Sequence, residues 1–357
     1  MPIDQQVRDY INKNGYVTVD ILMKEALTSS PNSYYKHKNL LGAKGDFITS
    51  PEISQTFGEA IALWCIEAWE KLGKPKEINL VELGPGRGLL MRDLLKVAQI
   101  VPEFFSTIQV ELVDVNPNFI ELQKNNLSGF DINIKWLEQV SEVTKLPTLF
   151  IANEFFDALP IKQFIKVKDS WYEVILVANP NDGKIKFEKI ALNKILNEQF
   201  LIDYVTAYDG AVIEESVESL EVIKTISQHI KAFKGAALIV DYGYNISKLK
   251  RTRHQYNSTL QAIKNHQFYP VLDSLGEADL SAHVDFYNLA KAARVHEISN
   301  VSLTSQREFL INYGILQRGE MLKKSLGVNE AKIIDRQIER LISPQLMGEL
   351  FKVLQLF

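Results

Sequence analysis

The sequence predicts a doubly wound, Rossmann-like α/β fold, with an N-terminal helical segment before the sheet and an antiparallel β insertion within it. Three observations carry this. Short apolar runs with the character of buried parallel strands recur at 78–83, 108–113, 148–152 and 236–240. Helical stretches separate them, 89–100 and 117–125 most clearly, with 214–233 before the fourth run. A glycine-rich turn, Gly84-Pro85-Gly86-Arg87-Gly88, follows the first run and opens the first of these helices.

Residues 1–75 read as a helical lobe. Val7, Tyr10 and Ile11 recur at helical spacing, as do Phe57, Ile61, Trp64, Cys65, Ala68 and Leu72. Between them lies the loop Gly45-Asp46-Phe47-Ile48-Thr49-Ser50-Pro51-Glu52, where Ser50, Pro51 and Glu52 have the types of an N-cap, a first-turn proline and a first-turn acid. The α/β domain then occupies 76–357 with two interruptions. At about 161–210 two strand-like runs, 163–168 and 171–177, precede the turn Asn179-Pro180-Asn181-Asp182-Gly183 and a third run at 184–190, an antiparallel insert. Residues 245–282 are polar and turn-rich and read as an irregular excursion over the sheet's ligand-binding edge.

Composition narrows the classes. The 357 residues are 46% hydrophobic and 24% charged, as in an ordinary globular chain, and suffice for one large domain with a smaller lobe. A net charge of −4 does not favour nucleic acid as the main partner. A single cysteine, Cys65, excludes an internal disulfide framework and a cysteine-based zinc cluster, and no metal site is expected. No apolar run reaches the ~20 residues of a membrane span. The N-terminus lacks signal-peptide and transit-peptide character, so a bacterial cytoplasmic location is expected, or the mitochondrial matrix if the chain is organellar.

Glycines at the turn let the backbone bend sharply and approach a ligand without a Cβ clash. Nicotinamide-binding turns use G-x-G-x-x-G with a pyrophosphate on the helix N-terminus. Here the spacing is G-x-G-x-G, and Glu82 lies two residues before Gly84. A carboxylate there repels a pyrophosphate but suits the cationic amino-acid end of S-adenosylmethionine. Asp114, at the end of the second run, is placed to accept from ribose hydroxyls. Glu82, Gly84, Pro85, Gly86, Gly88 and Asp114 are therefore assigned to S-adenosylmethionine. The alternatives left open are an NAD-linked oxidoreductase and a purely structural turn. Arg87 is expected to pair with Glu82 or Asp114. At the third strand's end, Asn153 and Phe156 resemble the (D/N)-P-P-(Y/F) corner of amino-group methyltransferases without its prolines. Glu154 and Asp157 there read equally as helix-capping acids.

Several separated blocks resemble the MidA-type methyltransferase family, whose mitochondrial members are complex I assembly factors and protein arginine methyltransferases. They are the segment Gly45 to Ser54, Val81 to Gly88, Ala152 to Pro160, Asp241-Tyr242-Gly243-Tyr244, Thr259-Leu260-Gln261-Ala262, Ala282-His283-Val284-Asp285-Phe286 and Met347 to Lys352, in family order along nearly the whole chain. Departures are Leu89 for a threonine, Ser274-Leu275-Gly276 for x-Pro-Gly, a glycine-free 254–258, and Ser33 in a Tyr-Gly-Tyr pattern. They bear on loops over the substrate.

The resemblance implies a class I S-adenosylmethionine-dependent methyltransferase sheet, with Asp46, Ser50, Glu52 and Asn153 joining the cofactor set. It also implies a protein substrate, with an arginine of the complex I subunit homologous to hydrogenase large subunits as acceptor. A guanidinium calls for carboxylates that bind it through paired hydrogen bonds. Glu154, Asp157, His283 and Asp285 are the catalytic candidates, and Glu52 is a further acceptor-binding acid. His283 has the proton affinity of a base near neutrality, but also reads as a cap or buried hydrogen-bond partner. Asp241 reads as a supporting acid or a turn cap. A homodimer and a non-catalytic assembly chaperone that binds S-adenosylmethionine stay open.

Overall fold

A computed structural model describes residues 2–36, 49–324 and 326–357. Seven strands form the ordered path of the eight-stranded central sheet: β1 Ile78–Leu83, β2 Ile108–Val113, β3 Ile134–Leu137, β4 Thr148–Asn153, β5 Gly235–Tyr244, β6 Val301–Ser305 and β7 Phe351–Leu356, and the eighth, Val284–Asp285, pairs in parallel with the end of β5. Their spatial order is β6-β7-β5-β4-β1-β2-β3. β1 to β5 pair in parallel, and β7 inserts antiparallel between β5 and β6. The order reverses between β1 and β4, which opens a crevice at their carboxyl ends.

The helices that matter are α1 Ile3–Asn14, α2 Val19–Lys24, α3 Ser50–Ile53, α4 Gln55–Lys71, α5 Leu89–Ala98, α6 Pro117–Leu127, α7 Val217–Phe233 and α8 Phe286–Val295. All six side chains of β1 are buried, because successive residues face opposite layers. Ile78 and Leu80 join the core with α4 and α5, whereas Val81 and Leu83 join the core with α7 and α8. This two-sided burial explains why the strand reads as a mainly apolar run, interrupted only by Asn79 and Glu82, and not as a simple apolar–polar alternation.

Three expectations need correction. Residues 1–75 are not one helical lobe. α1 and α2 pack with the insertion and with 262–282, and the strand Val17–Thr18 pairs antiparallel with Ser170–Ala178. α4 instead lies on the central sheet, with Phe57, Ile61, Trp64 and Cys65 in its core. The helix expected over 214–233 begins at Val217, because Val212–Glu215 is a strand that pairs with Lys162–Val167. Residues 245–282 are not wholly irregular. Gln261–Lys264, Gln267–Tyr269 and Asp279–Ser281 form a three-stranded antiparallel sheet. Its strands are too short to give a readable period.

The insertion contains the expected strands, at Lys162–Val167, Ser170–Ala178 and Ile185–Ala191, followed by a helix, Lys194–Asp203. Phe164, Trp171, Phe200, Tyr204 and Tyr256 make its own small core. Arg251 pins the following excursion to the main sheet. It pairs with Asp285 at 2.7 Å and lies over the Tyr244 ring at 4.8 Å.

β7 decides whether the sheet closes, since it hydrogen-bonds to strands on both sides. Leu354, fully buried in it, should cost about 2–5 kcal/mol when replaced in Leu354→Ala, measured by urea unfolding. A loss below about 1 kcal/mol would mean that the strand is peripheral to the core.

Candidate active site

The carboxyl ends of β1 to β4 border a cavity of about 820 Å3, within the usual range for a bound small molecule. Its inner wall includes Glu82, Gly84, Gly86, Asp114, Asn153 and Glu154. The N-terminal segment closes the opposite side with Met23, Leu27, Tyr35 and Glu52.

Gly84, Gly86 and Gly88 have φ of +63°, +51° and +75°, the left-handed region that side chains disfavour. A Cβ on Gly84 would also stand 2.9 Å from Phe155 Cδ2. The turn is fastened from behind by α6. Gln123, fully buried, donates from Nε2 to Gly86 O at 2.8 Å and to Asp114 Oδ2 at 2.7 Å. Its Oε1 accepts from Trp136 Nε1 at 2.8 Å, and Asn126 one turn later donates to Arg87 O at 2.8 Å. Sequence reasoning missed both residues. The available signal was a pair of amides three apart in the helix after Asp114, which lie on one helix face.

Asp114 Oδ1 accepts from the N–H of Asn116 at 2.8 Å, and Asn116 in turn caps α6. Burial raises the Asp114 carboxyl to about 6 despite these donors. Glu82 is 3% exposed, and burial with the nearby Asp114 charge raises it to about 8. Its Oε2 has no hydrogen-bond partner among the described residues. Glu138, Gln139 and Val140, beyond the end of β3, also line the cavity and were likewise missed.

A second group of acids lies at the end of β4. Glu154 has φ +49°, rare for a residue with a side chain and held here by its surroundings. Its N–H donates to Val240 O at 2.9 Å, while Oε1 accepts from Ser50 N at 2.9 Å and Asn153 Nδ2 at 3.3 Å. Burial raises its carboxyl to about 7. Asp157 is buried, its Oδ2 accepts from the Tyr242 hydroxyl at 2.6 Å, and burial raises it to about 6. Asp241 accepts from the N–H groups of Phe156, Asp157 and Tyr242, which shows it closing this turn.

Other expectations fall differently. Arg87 pairs with Glu52 at 3.3 Å, not with Glu82 or Asp114, and so ties α3 to the glycine turn. Phe155 lines the cavity, whereas Phe156 is buried in the sheet's core, so the aromatic counterpart is one residue earlier than expected. Ser50 sits behind the wall, touching Glu154 through its backbone. Asp285 is not at the cavity. It caps α8 through Asn288 N at 3.0 Å and pairs with Arg251. His283 also lies off the cavity lining, its ring edge-on to Tyr242 at 5.5 Å, and burial lowers its proton affinity. Asp46 lies outside the described residues.

The strand order, with its antiparallel β7, and the crevice between β1 and β4 define a class I methyltransferase fold. A family described as "Putative S-adenosyl-L-methionine-dependent methyltransferase" matches residues 60–303. The chain is 36% identical over 360 residues to "Protein arginine methyltransferase NDUFAF7, mitochondrial" of Danio rerio, covering 95% of this chain and 82% of that protein. It is 33% identical over 365 residues to the Homo sapiens protein of that name, covering 96% and 80%. A superfamily member from Burkholderia thailandensis, solved with S-adenosyl-homocysteine bound, has the same fold. The TM-score is 0.86 over 99% of this chain and 91% of that one, at 22% identity. The chain belongs to this S-adenosylmethionine-dependent methyltransferase family. Its cofactor is therefore S-adenosylmethionine, and the nicotinamide alternative is set aside.

The residues present fit that cofactor. Glu82 Oε2 and Asn153 Oδ1 are buried polar atoms without partners among the described residues, and the glycine turn leaves the backbone bare beside them. Glu82 suits the ammonium, Asp114 the ribose hydroxyls, and Asn153 the amino-acid end.

Two outcomes follow. Gln123→Ala should weaken S-adenosyl-homocysteine binding about tenfold by freeing the turn and Asp114, read by calorimetry. Unchanged affinity would show that Gln123 does not position the site. Glu82, raised to about 8, is mostly protonated at pH 7 in the free protein, so binding an ammonium there expels its proton. About one proton should be released per site at pH 6–7, falling to about half a proton at pH 8, measured in buffers of different ionisation enthalpy. The folded state holds this proton more tightly than the unfolded chain does. Its contribution to the stability of the ligand-free protein therefore falls as pH rises through about 8, and the cofactor should oppose that loss.

Proposed function

We propose that the chain is a protein arginine N-methyltransferase that modifies a core subunit of complex I, NADH:quinone oxidoreductase, and so supports its assembly. The observation that carries this is the acidic corner beside the cofactor cleft. Glu154, Asp157 and Asp241 are gathered at the ends of β4 and β5, and none makes an ion pair among the described residues. Such a corner favours a cationic acceptor. The curated relatives are named protein arginine methyltransferases, and a guanidinium offers the planar donor set that carboxylates bind in pairs.

When bound, S-adenosylmethionine supplies a methyl group already activated by its sulfonium. The chain's own residues then orient the acceptor and manage its proton. Glu154, fixed by the Ser50 and Asn153 donors, is the carboxylate nearest this task. With a proton affinity near 7 it can hold a proton at its carboxyl oxygen at physiological pH. Phe155 covers the glycine turn and limits water there. Asp157 supports Glu154 from behind, while Asp285 and His283 serve the surrounding structure.

No helix of the described residues is long and apolar enough to cross a membrane. The relatives are named mitochondrial, so the matrix is the proposed setting for an organellar form and the cytoplasm for a bacterial one.

Mass spectrometry of the complex I subunit homologous to hydrogenase large subunits, from cells with and without this chain, should show arginine methylation only when it is present. An unchanged arginine would remove this substrate. With purified protein, Glu154→Gln should lower the methylation rate by ~100-fold or more, the usual scale for losing a positioned acid–base group, with S-adenosyl-homocysteine affinity within about twofold. An unaltered rate would remove Glu154 from the chemistry.

A further inference from the structure

The side-chain amide of Asn116 has an oxygen that the fold uses and a nitrogen that it does not. The residue is 1% exposed and follows Asp114 by two positions, at the start of α6. Its Oδ1 accepts from the N–H groups of Asn118 at 2.9 Å and Phe119 at 3.4 Å, which caps the helix. Two N–H donors fix which branch of the amide is the oxygen. The other branch, Nδ2, is buried and has no acceptor among the described residues. The amide is planar, so an oxygen turned to the first turn of α6 carries Nδ2 away from that turn. A buried donor left unmatched is costly, which points to an acceptor brought by a ligand.

The wall around Asn116 narrows the chemistry of that ligand. Asn116 lines the cavity together with Val115, Phe119 and Val140. Val115 stands between two polar neighbours, Asp114 and Asn116, yet its apolar side chain is 44% exposed. Lys36 Nζ donates to Val115 O at 2.9 Å and so ties the N-terminal segment to this loop. Three apolar side chains and one donor suit a flat ring that is apolar on its faces and carries an acceptor on its edge. Within S-adenosylmethionine that part is the adenine. Its ribose, held at Asp114, brings the sugar edge of the base nearest to Asn116. The acceptor on that edge is N3, whereas N7 lies on the opposite one.

We propose that Asn116 Nδ2 donates to N3 of the adenine ring, so that one amide reads the base of the methyl donor and caps α6. The same helix carries Gln123, which holds Gly86 and Asp114. Binding of the base is thereby tied to the element that shapes the turn and the ribose site. This contact concerns the methyl donor alone and is independent of the acceptor, so it stands or falls apart from the arginine reading.

Calorimetry on the full chain tests it with three ligands: S-adenosyl-homocysteine, its 3-deaza analogue, in which C–H replaces N3, and its 7-deaza analogue, in which C–H replaces N7. Wild type should bind the 3-deaza analogue about tenfold more weakly than S-adenosyl-homocysteine, and the 7-deaza analogue within about threefold. Asn116→Ser keeps a capping oxygen and removes the amide donor. It should weaken S-adenosyl-homocysteine about tenfold and leave the 3-deaza analogue within about twofold, so that the preference between the two disappears. Asn116→Asp also keeps a cap without a donor and takes its place if the serine variant does not fold; the wild-type comparison needs neither variant. Equal binding of S-adenosyl-homocysteine and the 3-deaza analogue by wild type overturns the contact. An equal loss with the 7-deaza analogue, or a tenfold preference that persists in Asn116→Ser, overturns it as well.

Discussion

A carboxyl group buried at the end of β1 with no cation beside it is the constraint on which this site depends. Glu82 lies in the strand that begins the crevice, under the glycine turn and near Asp114. A hydrophobic sheet position would ordinarily hold an apolar side chain. An acid there raises the energy of the empty site and lowers it when a cation arrives. The three positive-φ glycines have the complementary role of giving that cation's carrier close access to backbone. α6 keeps the two together, because Gln123 joins the turn to Asp114 through one amide.

The same principle recurs at the end of β4. Burial raises Glu154, Asp157 and Asp241, neighbouring acids raise Glu154 and Asp241 further, and hydrogen-bond donors offset only part of that cost. Two uncompensated acidic sites thus sit at adjacent strand ends, as the proposed cationic acceptor beside a cationic donor would require. The reading accounts for the positive φ of Glu154, since the local backbone strain aims its side chain at the N-terminus of α3. The Arg87–Glu52 pair then links α3 to the glycine turn, so the N-terminal wall and the cofactor turn are fixed to each other.

Much of the sheet was legible in the sequence because β1, β2, β4 and β5 are buried on both faces and read as short, mainly apolar runs. β3 was not, since its side chains are half-buried, and neither was the antiparallel placement of β7, which depends on pairing across the chain. Glu82, Asp114 and the glycines could be placed at the crevice from the sequence because they stand at the ends of strands. Gln123 was missed, since a pair of amides three apart on a helix is a far weaker signal than a strand-end acid. Asp285 shows the opposite error. Its block marks a constrained position, but the constraint is the cap of α8 and the Arg251 ion pair. The three-stranded sheet within 261–281 was hidden by strands of only three or four residues.

The central claim is that a cofactor cation compensates Glu82. Carbon-13 NMR of the labelled Glu82 carboxyl, titrated without and with S-adenosyl-homocysteine, tests it most directly. The account predicts a midpoint near 8 in the free protein, falling toward the ordinary carboxylate range when the ligand binds. A midpoint already in the ordinary range, or one that the ligand leaves unmoved, would contradict it.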